Sequence, residues 1–118
     1  MNTSMNIMPL NAPPMRLLTP ADADARVRAG TVTVVDVRPP QERALAAITV
    51  PHDGLEDGGL ERLLALPKNL PLAFLCHHGG RSAQAAEYFR AQGFGEVYNI
   101  VGGIEAWALD VDSSLPRY

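Results

Sequence analysis

Two apolar runs stand out along the chain at the length of buried strands. Thr31-Val32-Thr33-Val34-Val35-Asp36-Val37 is β-branched almost throughout, and Leu72-Ala73-Phe74-Leu75 is apolar without interruption. Runs of this kind suit strands covered on both faces, as in a parallel sheet. Glu96-Val97-Tyr98-Asn99-Ile100 reads as a further strand, Met15-Arg16-Leu17-Leu18 as a short edge strand, and Ile48-Thr49-Val50-Pro51-His52 as a connection or short strand. Helical patterns fall between them. Thr19-Pro20-Ala21-Asp22 combines an N-cap, a proline at the first helical position and an acid in the first turn. That helix should run to about Ala29, with Gly30 as a left-handed stop. Residues 41–47 predict a short helix after Pro39-Pro40, and residues 60–66 an amphipathic one halted by Pro67. Between these two, residues 53–59 read as a polar loop. Residues 82–92 predict a helix with Ala85, Ala86 and Phe89 on one face and Gly93 at its end. Gly102-Gly103 turns into a last short helix, whose Trp107 reads as core packing.

Strands alternating with helices at short spacing imply an α/β sandwich around a mostly parallel sheet. The expected division is a loose arm over residues 1–14, one domain over 15–109, and a tail over 110–118 lying on the surface. The 118-residue length allows one hydrophobic core, and 47% hydrophobic with 19% charged residues is an ordinary globular balance. A net charge of −3 without a basic cluster argues against nucleic acid. No secretory signal and no run of membrane-spanning length is visible. One cysteine excludes an internal disulfide framework and fits a reducing compartment, so a cytoplasmic protein is expected.

Chemistry concentrates where the second apolar run ends, in Cys76-His77-His78-Gly79-Gly80-Arg81-Ser82. The order strand, tight loop, helix start sets a sulfur at the carboxyl end of a strand, facing the unpaired N–H groups of a helix amino terminus. A free thiol titrates near 8.5, so only about 3% is thiolate at neutral pH. A helix start and a nearby arginine lower that value, and Gly79 and Gly80 can take positive φ to turn amides inward as a nest. A lone cysteine by itself reads as structural. The Gly-Gly-Arg-Ser that follows shifts the reading to a nucleophile. Asp36 and Arg38 fall at the carboxyl end of the first buried strand, where they read as an ion pair bracing neighbouring loops. A metal site on Cys76, His77 and His78 is disfavoured, because adjacent residues rarely converge on one ion.

Three stretches together resemble the rhodanese domains. Val34-Val35-Asp36-Val37-Arg38 with Glu42 resembles their D-V-R…E segment, Cys76 to Ser82 their C-x-x-G-x-R-S active-site loop, and residues 98–107 their closing L-x-G-G-x-x-x-W. The pattern is particularly similar to rhodanese domains fused to bacterial monothiol glutaredoxins. Some single-domain thiosulfate sulfurtransferases also share the C-x-H-G loop. Ala46-Ala47-Ile48 departs from the family's Gly-His-Ile, and Val50-Pro51 from the Gly-Ala that follows it.

The resemblance implies sulfur transfer through a persulfide on Cys76, without a cofactor, from a donor such as thiosulfate or a persulfide to a thiol. A glutaredoxin, a thioredoxin or another sulfur-relay protein would be the kind of partner it suggests. Residues 77–82 would form the binding loop, with Asp36, Arg38 and Glu42 as support. Arg81 has two roles open to it, bracing the loop, which is favoured, or raising the local potential. His77 and His78 either guide an anionic donor or are simply exposed. Three competing functions are carried alongside. A cysteine phosphatase or a related arsenate reductase would use C-x5-R, one residue longer than the C-x4-R here. A binding module without catalysis usually lacks the cysteine, and a redox thiol would need a partner from another chain.

Overall fold

The computed structural model describes residues 13–118. Thr19 caps the first helix as expected: its hydroxyl accepts from the Asp22 N–H at 3.1 Å, and α1 (Pro20–Arg28) runs to a C-cap at Ala29, with Gly30 following at φ +75°. The strands β1 (Arg16–Leu18), β2 (Thr33–Asp36), β3 (Asp53–Gly54), β4 (Leu72–Leu75) and β5 (Val97–Ile100) form one sheet in the order β1-β5-β4-β2-β3, parallel at every pairing. The expected α/β architecture is therefore present, with a wholly parallel sheet.

Side-chain parity along the central strands explains why their sequences are apolar throughout. Val34, Ala73, Leu75, Tyr98 and Ile100 enter one core, with Ala23 of α1 and Ile104, Trp107 and Ala108 of α5 (Gly103–Asp110). Val35, Leu72, Phe74 and Val97 enter the other, with Leu63 of α3 (Gly59–Leu64) and Ala86 and Phe89 of α4 (Gly80–Ala91). Phe89 sits 5.0 Å from Phe74 and 5.5 Å from Phe94, ring centre to centre, tying α4 to the sheet. No helix among the described residues is long and apolar enough to cross a membrane.

Three expectations need correction. The helix predicted over 41–47 is the single turn α2 (Pro40–Arg43), because the chain beyond it opens to bury every second residue, Ala46, Ile48 and Val50. The Ala46 carbonyl is also taken by Arg38 Nη2 at 2.7 Å rather than by a helical amide. The polar loop expected over 53–59 begins with β3, which is only two residues long and carries no β-forming side chain. Helix α4 starts at Gly80, two residues ahead of Ser82, since Gly79 takes the N-cap with φ +112°. Most of the arm expected over 1–14 lies outside the described residues.

Candidate active site

Parallel pairing sets the carboxyl ends of β2, β4 and β5 side by side, with Asp36 opposite Leu75 and Phe74 opposite Asn99. The loops leaving these three strands must therefore meet, and Cys76 leaves the middle one. Its Sγ accepts from the Gly79 N–H at 3.0 Å and lies 3.1 Å from the Ser82 hydroxyl. Burial alone would push the Cys76 thiol up. Hydrogen bonds from the Ser82 hydroxyl and from the N–H groups of Ser82, Gly79 and His78 outweigh it and hold the thiol below its ordinary pKa. The amides face inward, as the loop sequence predicts. Only Gly79 uses positive φ for this, however, because Gly80 is already helical. The thiol is nonetheless closed off from solvent: Cys76 is 1% exposed.

Ser82 and Gly79 are themselves held by a residue that the motif reading passed over. Asn99 accepts from the Ser82 hydroxyl at 2.6 Å and donates to the Gly79 carbonyl at 3.0 Å. A polar side chain in the middle of an otherwise apolar buried strand was the available signal. Strand parity puts Asn99 on the side of the sheet that α4 covers, next to Ser82. The Ser82 hydroxyl has one proton, which goes to Asn99 while Cys76 is a thiol and turns to the sulfur when Cys76 is a thiolate, so Ser82→Ala should raise the Cys76 pKa and slow its alkylation at neutral pH. Iodoacetamide rates measured across pH 5–10 report this. A curve superimposable on the parent would remove Ser82 from thiolate stabilisation.

The floor of the loop is Gly102-Gly103, both at positive φ. The Ile104 N–H donates to the Cys76 carbonyl at 2.8 Å and the Glu105 N–H to the His77 carbonyl at 3.2 Å, so the start of α5 carries the backbone of the cysteine loop.

Around the rim, Arg81 grips both carboxylate oxygens of Glu42 at 2.8 Å each, bringing Glu42 down to about 2, chiefly through these hydrogen bonds. The guanidinium pKa rises in turn, for the same reason. Arg81 thus braces the loop against the segment after β2. Arg38 and Asp36 form a fully buried pair, Nε to Oδ1 at 3.0 Å and Nη2 to Oδ2 at 2.7 Å, as the ion-pair reading expects. A buried charge stripped of its partner costs about 3–5 kcal/mol, so this pair stays intact or the loop after β2 fails.

His77 is not an exposed loop residue. Its ring lies between His78 and Tyr118, 3.9 Å from each, and its Nε2 is buried with no hydrogen-bond partner among the described residues. His78 is exposed. Tyr118 had no local sequence signal at all, since it arrives from the other end of the domain.

Fold and site together define an α/β protein with an activated cysteine on a strand–loop–helix turn, its loop clamped by an arginine–carboxylate pair. The chain belongs to the rhodanese-like domain family, whose model matches residues 19–110. It is 37% identical over 82 residues to a thiosulfate sulfurtransferase GlpE from Pseudomonas paraeruginosa, covering 70% of this chain and 74% of that protein. Its fold resembles a rhodanese-like domain protein from Staphylococcus aureus, with TM-score 0.68, 28% identity, and 88% of this chain and 99% of that one covered. It also resembles the polysulfide-sulfur transferase of Wolinella succinogenes, with TM-score 0.67, 32% identity, and 88% and 78% covered.

Proposed function

We propose that this protein is a sulfurtransferase that carries sulfane sulfur on Cys76 as a persulfide. The observation that carries the reading is the set of hydrogen bonds aimed at one sulfur atom, the Gly79 N–H at 3.0 Å and the Ser82 hydroxyl at 3.1 Å, at a thiol held below its ordinary pKa. The names of the GlpE and polysulfide-sulfur transferase relatives support it. The Cys76 thiolate attacks the outer sulfur of a donor such as thiosulfate. A new S–S bond forms, the donor's S–S bond breaks, and sulfite departs with the electron pair. The terminal persulfide sulfur then bears the negative charge, and the inward amides of the loop stabilise it as they stabilise the thiolate. An acceptor nucleophile, cyanide in an assay or a thiol in a reducing compartment such as the cytoplasm, takes the outer sulfur and returns the thiolate.

Arg81 serves here as a brace. A phosphate would need its bidentate fork, and that fork is already closed on Glu42. The direct test is intact-mass spectrometry after exposure to thiosulfate. A gain of one sulfur atom that dithiothreitol removes is expected. No gain from thiosulfate or polysulfide would turn the assignment to a binding module that does not carry sulfur.

A further inference from the structure

The segment that follows α5 reaches the site from outside every motif. Asp112 Oδ1 accepts from the N–H and the hydroxyl of Ser114, at 3.1 and 2.5 Å, which turns the chain back toward the sheet. Leu115 then enters the core that holds Trp107, and Arg117 pairs with Glu105 of α5. Tyr118 lands on the cysteine loop. Its ring lies 14° from parallel to His77, and its hydroxyl accepts from Arg38 Nη1 at 2.9 Å and donates to Glu42 Oε2 at 2.5 Å.

These contacts close the rim. Arg38 and Glu42 come from the segment after β2, and His77 follows β4, so one aromatic residue bridges two of the three loops that surround the sulfur. Beneath it, His77 is stacked against His78 with a buried nitrogen that has no partner among the described residues, and Cys76, the neighbouring residue, has almost no exposed surface. The attachment is also separable from the site's foundations. Arg81 holds both oxygens of Glu42, and Asp36 holds Arg38, through contacts in which Tyr118 takes no part. Tyr118 itself is 38% exposed, and it is held by two hydrogen bonds, one ring stack and the Arg38 guanidinium 5.8 Å from its ring centre, none of them in the core clusters.

We propose that residues 112–118 form a strap over the cysteine loop, latched by Tyr118, which sets the size of molecule that reaches Cys76. Low-molecular-weight sulfur carriers pass with small displacements of the ring. A cysteine presented by a folded protein is excluded until Tyr118 lifts. The meaning of this selectivity rests on the sulfur-transfer reading, whereas its test needs only the thiol.

The experiment compares Cys76 labelling by iodoacetamide and by a maleimide carrying a long polyethylene glycol chain, in the parent, Tyr118→Phe and Tyr118→Ala proteins, with circular dichroism as a check on folding. Tyr118→Ala should speed the bulky reagent by about tenfold or more and iodoacetamide by no more than about threefold, as expected when a local opening limits access. Tyr118→Phe keeps the ring stack but loses both hydrogen bonds, and should fall between the parent and the alanine variant. If both reagents accelerate alike, or neither changes, in the folded alanine variant or in the phenylalanine variant, the strap is wrong. Retained size selectivity without persulfide formation would remove the sulfur-transfer reading alone. Persulfide formation without size selectivity would remove the strap alone.

Discussion

Cys76→Ser is expected to abolish thiocyanate formation from thiosulfate and cyanide, a fall of about 10⁴-fold or more, of the order seen when a covalent nucleophile is removed. A hydroxyl in place of the thiol has no accessible anion near neutral pH and cannot form the persulfide. The fold should persist, because the smaller oxygen still finds the Gly79 N–H and the Ser82 hydroxyl as partners. A buried polar atom with its hydrogen bonds made costs about 1 kcal/mol or less to keep. The pairing of lost turnover with a retained thermal transition is therefore the diagnostic result. Serine variants that still produce thiocyanate would show that sulfur passes through some other group.

Gly103→Ala should damage the site from below and have the largest effect on stability. The backbone there has φ +61°, and an added Cβ would come within 2.4 Å of the Cys76 carbonyl oxygen and 2.5 Å of the His77 carbonyl oxygen. Both neighbours are backbone, so no side-chain rotation relieves the clash. Left-handed strain and a forced shift of the loop together predict a loss of about 3–5 kcal/mol. The loop's amides would also move off the sulfur, so the Cys76 pKa should rise toward its unperturbed value. Gly80→Ala provides the contrast. Nothing lies within 4 Å of a Cβ at position 80, and its φ is not positive, so alanine there should be neutral or stabilise α4 by up to about 1 kcal/mol. Chemical denaturation of the two variants separates the outcomes. Equal stabilities would mean that Gly103 does not support the loop as described.

The sequence revealed most where local chemistry decides the structure. Thr19-Pro20 set the start of α1, and Leu72–Leu75 was readable to the residue because four consecutive apolar side chains need cover on both faces. The loop after β4 was legible for the same reason, since its glycine and serine act on the cysteine within six residues. Legibility failed where a distant group decides. The segment after α2 reads as helix until the Arg38 guanidinium claims the Ala46 carbonyl. Asn99 could have been flagged as a polar residue in a buried strand, but its partners become known only from the pairing of β4 with β5. Glu42 was placed as support on resemblance, and its bidentate hold on Arg81 is a contact across 39 positions of sequence. Tyr118 meets Arg38 across 80. No pattern in the chain forecasts that meeting.

The margins of the sheet carry a consequence of their own. Its outer strands, β1 and β3, are three and two residues long. A neighbouring molecule seeking to extend the sheet would find too few free amides and carbonyls in line to nucleate a ladder, and ribbon-like self-association through either border is discouraged by brevity alone. Arg16 on one border and Asp53 on the other add charge to that brevity, so the loop that holds the reactive sulfur leaves from the middle of a sheet whose edges are both poor templates for pairing.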